Sequence, residues 1–219
     1  MISICNITKN RNENLEKCWR TWLFADEIII MDYGSSIPVK IDHPKVKVYR
    51  YESDGFIKTK GLNMAIDLAK GDIIIQADSD YYFNRHFSEK DLHTGEFITG
   101  KKIIETDDRD IVPLTGFCMF WKYDWERVNG FNERFIYYAY DDCDFYNRLE
   151  GIGLNHNKIN LGDITHLTHS DSERIVNFVS SASGRMGKIL YKSREKNVES
   201  SIKNPWTAKD IRSKYEKIQ

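Results

Sequence analysis

The sequence predicts an α/β fold in which a mostly parallel central sheet is flanked by helices, with a smaller antiparallel portion. Four short apolar runs of strand length occur at 2–7, 27–31, 46–51 and 72–77. Helical patterns precede the second and the fourth of these runs, and the alternation stops after residue 84. Apolar strands that alternate with helices are typical of parallel sheets that are buried on both faces.

The two helices of the first half have apolar stripes. The helix after the first strand repeats large side chains at helical spacing, at Leu15, Cys18, Trp19 and Trp22. The helix predicted over 59–70 has its stripe at Leu62, Ala65, Ile66 and Ala69. Gly71 follows it, and we expect this glycine to end the helix.

After residue 84 the pattern favours antiparallel strands followed by helices. Residues 97–105 and 111–121 are predicted to pair around a turn at 106–110. A helix is predicted over 141–150, closed by Gly151 or Gly153. The remaining predictions are a loop at 162–171 and helices at 172–193 and 208–217.

Length and charge exclude several classes of protein. The chain has 219 residues, with 32 Lys and Arg against 33 Asp and Glu, and this balance argues against a nucleic-acid-binding protein. The length suits one domain.

No apolar run approaches the roughly 20 residues that cross a bilayer, so no integral membrane segment is expected. Residues 1–7 lack the pattern of a signal peptide. The four cysteines have no CxxC spacing, so we expect a reducing, cytoplasmic location.

Two carboxylates follow the fourth predicted strand. Asp78 and Asp80 flank Ser79 just beyond the carboxyl end of this strand, where open parallel sheets bind ligands. At this spacing both carboxylates can reach one Mg²⁺ or Mn²⁺ ion, and such an ion can neutralise a diphosphate. Asp and Ser are also common in turns, so a simple turn is the alternative.

A second acidic run, Asp141, Asp142 and Asp144, opens the helix predicted over 141–150. Helix capping and an ion pair between Asp144 and Arg148 are structural explanations of these acids. Aromatic residues make up 13% of the chain, and the strip at 137–140 directly before the acids is suited to stacking on sugar rings. A carboxylate at this position could act as general base toward an acceptor hydroxyl.

Histidines and basic residues complete the candidate site. His166 and His169 are spaced i, i+3 and could supply imidazole to the same cation, although histidines are more often ordinary surface or core residues. Four basic residues lie near the predicted ligand-binding edge of the sheet, where they could contact phosphates or be simply solvated. They are Lys9, Arg11, Lys58 and Lys60.

Taken together, these segments resemble the GT-A glycosyltransferases, which have a Rossmann-like fold. The first half resembles glycosyltransferase family 2, and the second half resembles the β-1,4-galactosyltransferases. The likeness lies in FIKTKGLN at 56–63, TGFCMFW at 115–121, VNGFN at 128–132, DDCDFYNRL at 141–149 and HLTHS at 166–170. It implies one GT-A domain over 1–219, with a nucleotide-binding half at 1–84, an acceptor and metal half at 85–175 and C-terminal helices at 176–219.

The resemblance also implies roles for individual residues. Asp142 corresponds to the catalytic base of the family. The implied ligands of Mn²⁺ or Mg²⁺ are Asp78, Asp80, His166 and His169, with Asp80 in direct contact. The implied acceptor-binding residues are Asp141, Tyr138 and Tyr140. The residues expected to bind the donor are Thr8, Arg11, Asp32, Phe56, Lys58, Lys60, Asn63, Asp78, Ser79 and Gly116.

The resemblance therefore implies an inverting, metal-dependent enzyme that transfers a sugar from a UDP-sugar to a hydroxyl of a carbohydrate acceptor. One alternative is a non-catalytic module of the same fold that binds nucleotide sugars or glycans. Another is a sugar-phosphate nucleotidyltransferase, which would have a glycine-rich loop after the first strand. A phosphohydrolase fits less well, because its nucleophile normally follows the first strand. Cys143 and Asp141 depart from the acidic run of the galactosyltransferases, so galactose is not implied as the donor sugar.

Overall fold

A computed structural model describes residues 1–53, 55–100, 114–136, 139–160, 162–167 and 186–213. The strands are β1 (Ile2–Thr8), β2 (Glu27–Asp32), β3 (Val46–Arg50), β4 (Ile73–Gln76), β5 (Tyr81–Phe83), β6 (Glu96–Thr99), β7 (Cys118–Trp121), β8 (Asn155–Lys158) and β9 (Ile164–His166). The α-helices are α1 (Asn12–Cys18), α2 (Lys58–Leu68), α3 (Lys122–Arg127), α4 (Asp141–Gly151) and α5 (Met186–Lys203).

The main sheet has seven strands in the order β3-β2-β1-β4-β7-β6-β8. The first four of these are mutually parallel, β7 runs antiparallel to both β4 and β6, and β8 is parallel to β6. Strands β5 and β9 form a separate antiparallel pair. The predicted α/β fold class, with its mostly parallel sheet and smaller antiparallel part, is therefore confirmed.

Apolar clusters cover both faces of the sheet. One face packs on α1 and the 3-10 helix Trp19–Trp22, so the predicted helical stripe there is split between two helix types. The other face packs on α2 and α4, through residues such as Leu62 and Phe145. Because both faces are covered, a ligand can approach the parallel strands only at their ends.

Several predicted boundaries differ from the structure. Helix α2 ends at Leu68, before Gly71, and Gly71 instead permits close contact with β1, since a Cβ there would lie 2.7 Å from the Ser3 nitrogen. The loop predicted at 162–171 contains β9. Residues 208–213 form a turn and irregular chain where a helix was predicted.

Other predictions fall partly outside the described residues. The helix predicted over 172–193 corresponds in part to α5, which runs on to Lys203. Residues 172–185 of that prediction lie outside the described residues. The predicted turn at 106–110 also lies outside them. The division of the chain at residues 84 and 175 stays a prediction. Within the described ranges, no helix has the length and apolar character needed to cross a membrane.

Candidate active site

Two acidic segments that are distant in sequence meet around one lysine. Lys58 opens α2, and its Nζ lies 3.4 Å from Asp78 Oδ1, 3.4 Å from Asp141 Oδ2 and 3.1 Å from Asp142 Oδ2. Asp78 follows β4, and the other two carboxylates form the first turn of α4. The structure therefore brings the two predicted acidic motifs together at the carboxyl end of the parallel strands.

Lys58 is fully charged in this setting. Burial lowers the pKa of its ammonium group, but the three carboxylates raise that pKa well above its ordinary value. The sequence predicts that Lys58 contacts a diphosphate, whereas the structure pairs it with carboxylates. A cation shared by three acids stabilises a cluster whose like charges would otherwise repel each other.

The pKa of Asp142 lies well above the ordinary value of an aspartate. Burial, together with the neighbouring Asp141 and Asp78 carboxylates, raises the pKa of Asp142 to about 7, and Lys58 opposes the shift. Gln76 Nε2 donates a hydrogen bond to Asp142 Oδ1 at 2.9 Å. A buried carboxylate that titrates near neutral pH is suited to take up a proton during a reaction.

Asp78 lies against a glycine. Burial and the nearby Asp80 raise the pKa of Asp78, while Lys58 lowers it. A Cβ at Gly116 would lie 2.0 Å from Asp78 Oδ2, so no larger residue fits while Asp78 keeps this position. The Gly116 nitrogen also donates to the Tyr81 hydroxyl at 3.0 Å, which fixes the chain before β7. Gly116 thus makes room for the first carboxylate of the DxD motif.

Asp80 faces a histidine across the small β5–β9 sheet. Tyr81 and His166 are partners in this sheet, and the Leu167 nitrogen donates to the Asp80 carbonyl at 2.8 Å. This pairing places His166 Nε2 3.5 Å from Asp80 Oδ1, with both side chains largely buried. β9 therefore brings an imidazole to the DxD motif.

The donor atoms of Asp80 and His166 fit a divalent cation. A carboxylate oxygen and an imidazole nitrogen are both good ligands of Mn²⁺. Two adjacent ligands on one ion lie about 3 Å apart when each bond is about 2.1 Å long, close to the separation here. Among the described residues, no three His, Cys, Asp or Glu side chains are grouped to hold a metal ion. His169, the other predicted imidazole ligand, lies outside the described residues.

Two buried hydroxyls lie at or next to positions that are predicted to bind the donor. Thr8 ends β1 and Thr59 lies in the first turn of α2, and each has a buried Oγ1 without a hydrogen-bond partner. Phe56 packs edge-on against Tyr33 at a centroid distance of 5.7 Å. Arg11, predicted to bind the donor, lies half-buried just before α1.

Some of the predicted donor-binding residues have contacts within the fold. Asn63 is fully buried and is bonded through both amide atoms to the backbone of Phe131, and its contact with a donor stays a prediction. The Ser79 hydroxyl accepts a hydrogen bond from the Asn6 amide at 3.2 Å. Lys60 lies on α2 and lines a groove with Trp206, so it is not brought to the acidic cluster.

Asp32 is also engaged within the fold. Its carboxylate accepts hydrogen bonds from the backbone nitrogens of Ser35 and Val39 at 2.8 and 3.1 Å. The Arg50 guanidinium contacts the same carboxylate at 2.8 Å. Asp32 therefore shapes the turn after β2, and its contact with a donor stays a prediction.

The residues that are predicted to bind the acceptor are described in part. Tyr140 directly precedes α4 in a left-handed conformation with φ of 75°, and Tyr138 lies outside the described residues. Asp144 pairs with Arg148 at 2.8 Å and accepts from Ser201 on α5, which confirms the structural explanation for this acid. Of the acids that open α4, Asp141 and Asp142 face the cluster.

Gln76 is a site residue that the sequence interpretation missed. It ends β4 as the only polar residue of Ile73–Gln76 and is completely buried. That break in an apolar strand was the available signal, because a buried amide needs a specific partner.

Comparison with protein families agrees with this geometry. Residues 3–94 match the family model for glycosyl transferase family 2, and residues 112–170 match the model described as the N-terminal domain of galactosyltransferase. The two matches occur in the order that the sequence motifs predict. The chain is a GT-A glycosyltransferase. The resemblance proposed from the sequence is thereby confirmed, as is the prediction that the chain is an enzyme.

Solved structures of other glycosyltransferases share the fold. This glycosyltransferase is similar to the catalytic domain of Drosophila beta1,4galactosyltransferase 7 in complex with xylobiose, with 13% identity, a TM-score of 0.59 and coverage of 88% of this chain and 79% of that chain. It is also similar to S. aureus TarS in complex with UDP, with 15% identity, a TM-score of 0.58 and coverage of 92% and 75%.

A third similar structure is that of a mannosyltransferase. The mannosyltransferase PcManGT of Pyrobaculum calidifontis, in complex with GDP-Man and Mn²⁺, has 14% identity, a TM-score of 0.57 and coverage of 94% of this chain and 71% of that chain. At these identities the similarity shows a shared fold. No curated protein matches the glycosyltransferase by sequence.

Proposed function

We propose that this glycosyltransferase transfers a sugar from a UDP-sugar to a hydroxyl of a carbohydrate acceptor, with inversion at the anomeric carbon and with Mn²⁺ or Mg²⁺ bound. The observation that carries the proposal is the cluster around Lys58, in which the DxD carboxylate Asp78 and the buried Asp142 both lie within 3.4 Å of one ammonium group. This arrangement supports the assignment of Asp142 as a base that lies beside the diphosphate of the donor.

Asp142 acts as the general base. Its carboxylate takes the proton of the acceptor hydroxyl while the hydroxyl oxygen forms a bond to the anomeric carbon. The bond from that carbon to the diphosphate oxygen breaks on the opposite face, and its electron pair leaves with UDP. General-base catalysis of this kind contributes about 10²–10⁴ to the rate. The pKa of about 7 keeps much of Asp142 ionised near neutral pH.

Asp80 and His166 are the described residues that would hold the cation, and His169 is a further predicted ligand. A bound divalent cation supplies positive charge to the leaving diphosphate. Lys58 lies between Asp78 and Asp142 and provides a second positive charge on the same side. Preorganised charges of this kind stabilise a transition state without reorganisation during the reaction.

The solved structures support UDP as the nucleotide. S. aureus TarS is in complex with UDP in one structure and with UDP-GlcNAc in another. A mutant of the Drosophila enzyme is in complex with manganese, UDP-Gal and xylobiose. For this chain, we propose that Thr8, Arg11 and Phe56 contact the nucleotide, and that Asp141, Tyr140 and Tyr138 contact the acceptor sugar.

Release of UDP from a panel of UDP-sugars, measured with Mn²⁺ and with Asp80→Ala as the blank, tests the proposal. We expect one or more UDP-sugars to give slow hydrolysis that a mixture of glycan acceptors accelerates. GDP-sugars provide the matched comparison for nucleotide choice. Binding of UDP without release from any sugar would contradict the proposal and would indicate a binding module.

A further inference from the structure

Gln76 occupies an unusual position for an amide. It is the last residue of β4, its side chain is fully buried, and the three residues before it are all isoleucine. β4 pairs with β1 on one side and β7 on the other, and Gln76 is in register with Cys5 and Cys118. The backbone of Gln76 is therefore fixed from both sides.

Only one of the two polar atoms of the Gln76 side chain has a hydrogen-bond partner. Nε2 donates to Asp142 Oδ1 at 2.9 Å, whereas Oε1 is buried without a hydrogen-bond partner. A buried, unpaired carbonyl destabilises a fold, and an apolar side chain in this strand would avoid that cost. Departures from local stability of this kind are expected at functional sites.

Gln76 and Lys58 contact Asp142 in different ways. Lys58 Nζ lies 3.4 Å from Asp142 Oδ1 and 3.1 Å from Asp142 Oδ2. It also contacts the carboxylates of Asp78 and Asp141. Gln76 is neutral and rigidly placed, and its Nε2 contacts Oδ1. With Oδ1 bound from the core, Oδ2 is the oxygen turned toward the cluster and Lys58.

We infer that Gln76 is a positioning residue for Asp142: its Nε2 fixes the carboxylate so that Oδ2 is presented to the acceptor hydroxyl. This inference rests on the proposed role of Asp142 as general base. Because the contact acts on the base and not on the nucleotide, its loss should lower kcat and leave the KM for the donor unchanged.

A double-mutant cycle tests the inference. Gln76→Met keeps the side-chain volume and removes the amide, and we expect kcat to fall about 10–100-fold, as for hydrogen bonds to charged groups. In an Asp142→Asn background the same substitution should have no effect, since no base is left to position. Ile74→Met is the control, because Ile74 lies two residues earlier on the same face of β4 and is equally buried.

The outcomes are distinguishable. A fall in kcat in the wild-type background alone supports the inference, whereas an equal fall in both backgrounds shows a folding effect and overturns it. An unchanged kcat in Gln76→Met also overturns it. Full activity of Asp142→Asn by itself would refute the base, and with it the proposed function, whatever the effect of Gln76→Met. Gln76→Leu provides a second variant without the amide. Thermal unfolding of every variant shows whether a fall in kcat reflects a loss of folded protein.

Discussion

Lys58 and Asp142 are 84 residues apart in sequence, yet Lys58 Nζ lies 3.1 Å from Asp142 Oδ2. The contact joins the start of α2 to the start of α4 and therefore links the family 2 half of the chain to the galactosyltransferase half. Burial raises the pKa of Asp142, and Lys58 lowers it in part. The protonation of the proposed base is thus set by both halves.

Replacement of Lys58 by methionine removes the positive charge from three carboxylates. We expect the apparent pKa in the kcat profile to rise, because Lys58 opposes the upward shift of Asp142. We also expect the free energy of unfolding to fall by about 3 kcal/mol, as when one partner of a buried ion pair is removed. Kinetics across a pH series and chemical denaturation at pH 8 measure the two effects. Lys17→Met, which removes an exposed lysine from α1, should change neither, and an unshifted profile in Lys58→Met would refute the electrostatic link.

The pH dependence of the wild-type enzyme follows from the pKa of Asp142. A general base works when deprotonated, and burial raises the pKa of this group to about 7. Turnover should therefore be lost as the pH falls below about 7, approaching about tenfold per pH unit on the acid limb. Steady-state kcat at saturating donor and acceptor, measured between pH 5 and 9, checks this. A profile that is flat from pH 5 to 7 would contradict the role of Asp142.

The cation site predicts a specific sensitivity to chelation. Asp80 Oδ1 and His166 Nε2 lie 3.5 Å apart. Asp80→Asn removes the negative charge of the first ligand and His166→Ala removes the second ligand, so both variants should need more Mn²⁺ for half-maximal activity. EDTA should abolish wild-type activity and added Mn²⁺ should restore it. His93→Ala, which removes an exposed histidine before β6, is the control. Activity in EDTA equal to that in Mn²⁺ would show that no metal is required.

Replacement by alanine should lower activity and stability at one glycine of the chain and not at another. In Gly116→Ala the new Cβ would lie 2.0 Å from Asp78 Oδ2, so the carboxylate or the chain must move. We expect lower kcat/KM and a loss of stability of about 1–3 kcal/mol, as in other overpacked sites. Gly151→Ala is the matched control, because Gly151 is helical and has no neighbour within 4 Å of its Cβ position. That variant should be unchanged or up to about 1 kcal/mol more stable.

The sequence predicts the sheet well because its signals are local. The apolar runs became β1, β2 and β4, and the acids of the DxD motif follow β4 as expected. The helix that carries Asp141 and Asp142 begins at Asp141, as its acidic first turn indicates. Patterns of burial and helix ends are properties of a few neighbouring residues, and the sequence displays them directly.

The partners of site residues could not be predicted in the same way. Lys58 is as compatible with phosphate as with carboxylate, and only the packing of α2 against α4 decides its neighbours in the structure. Asn63 belongs to a motif near the site, but its side chain points into the core and bonds to Phe131. β9 has three residues and becomes a strand only by pairing with β5, so a loop was the reasonable expectation. Each of these features depends on contacts between distant parts of the chain.

The measurement that most directly tests the central claim compares Asp142→Asn with the wild type, using UDP release for turnover and calorimetry for UDP binding in the presence of Mn²⁺. The account predicts that turnover falls by about 10²–10⁴ while UDP affinity is retained. Glu150→Gln, the same chemical change at the other end of α4, should behave as the wild type. Wild-type turnover in Asp142→Asn would contradict the account.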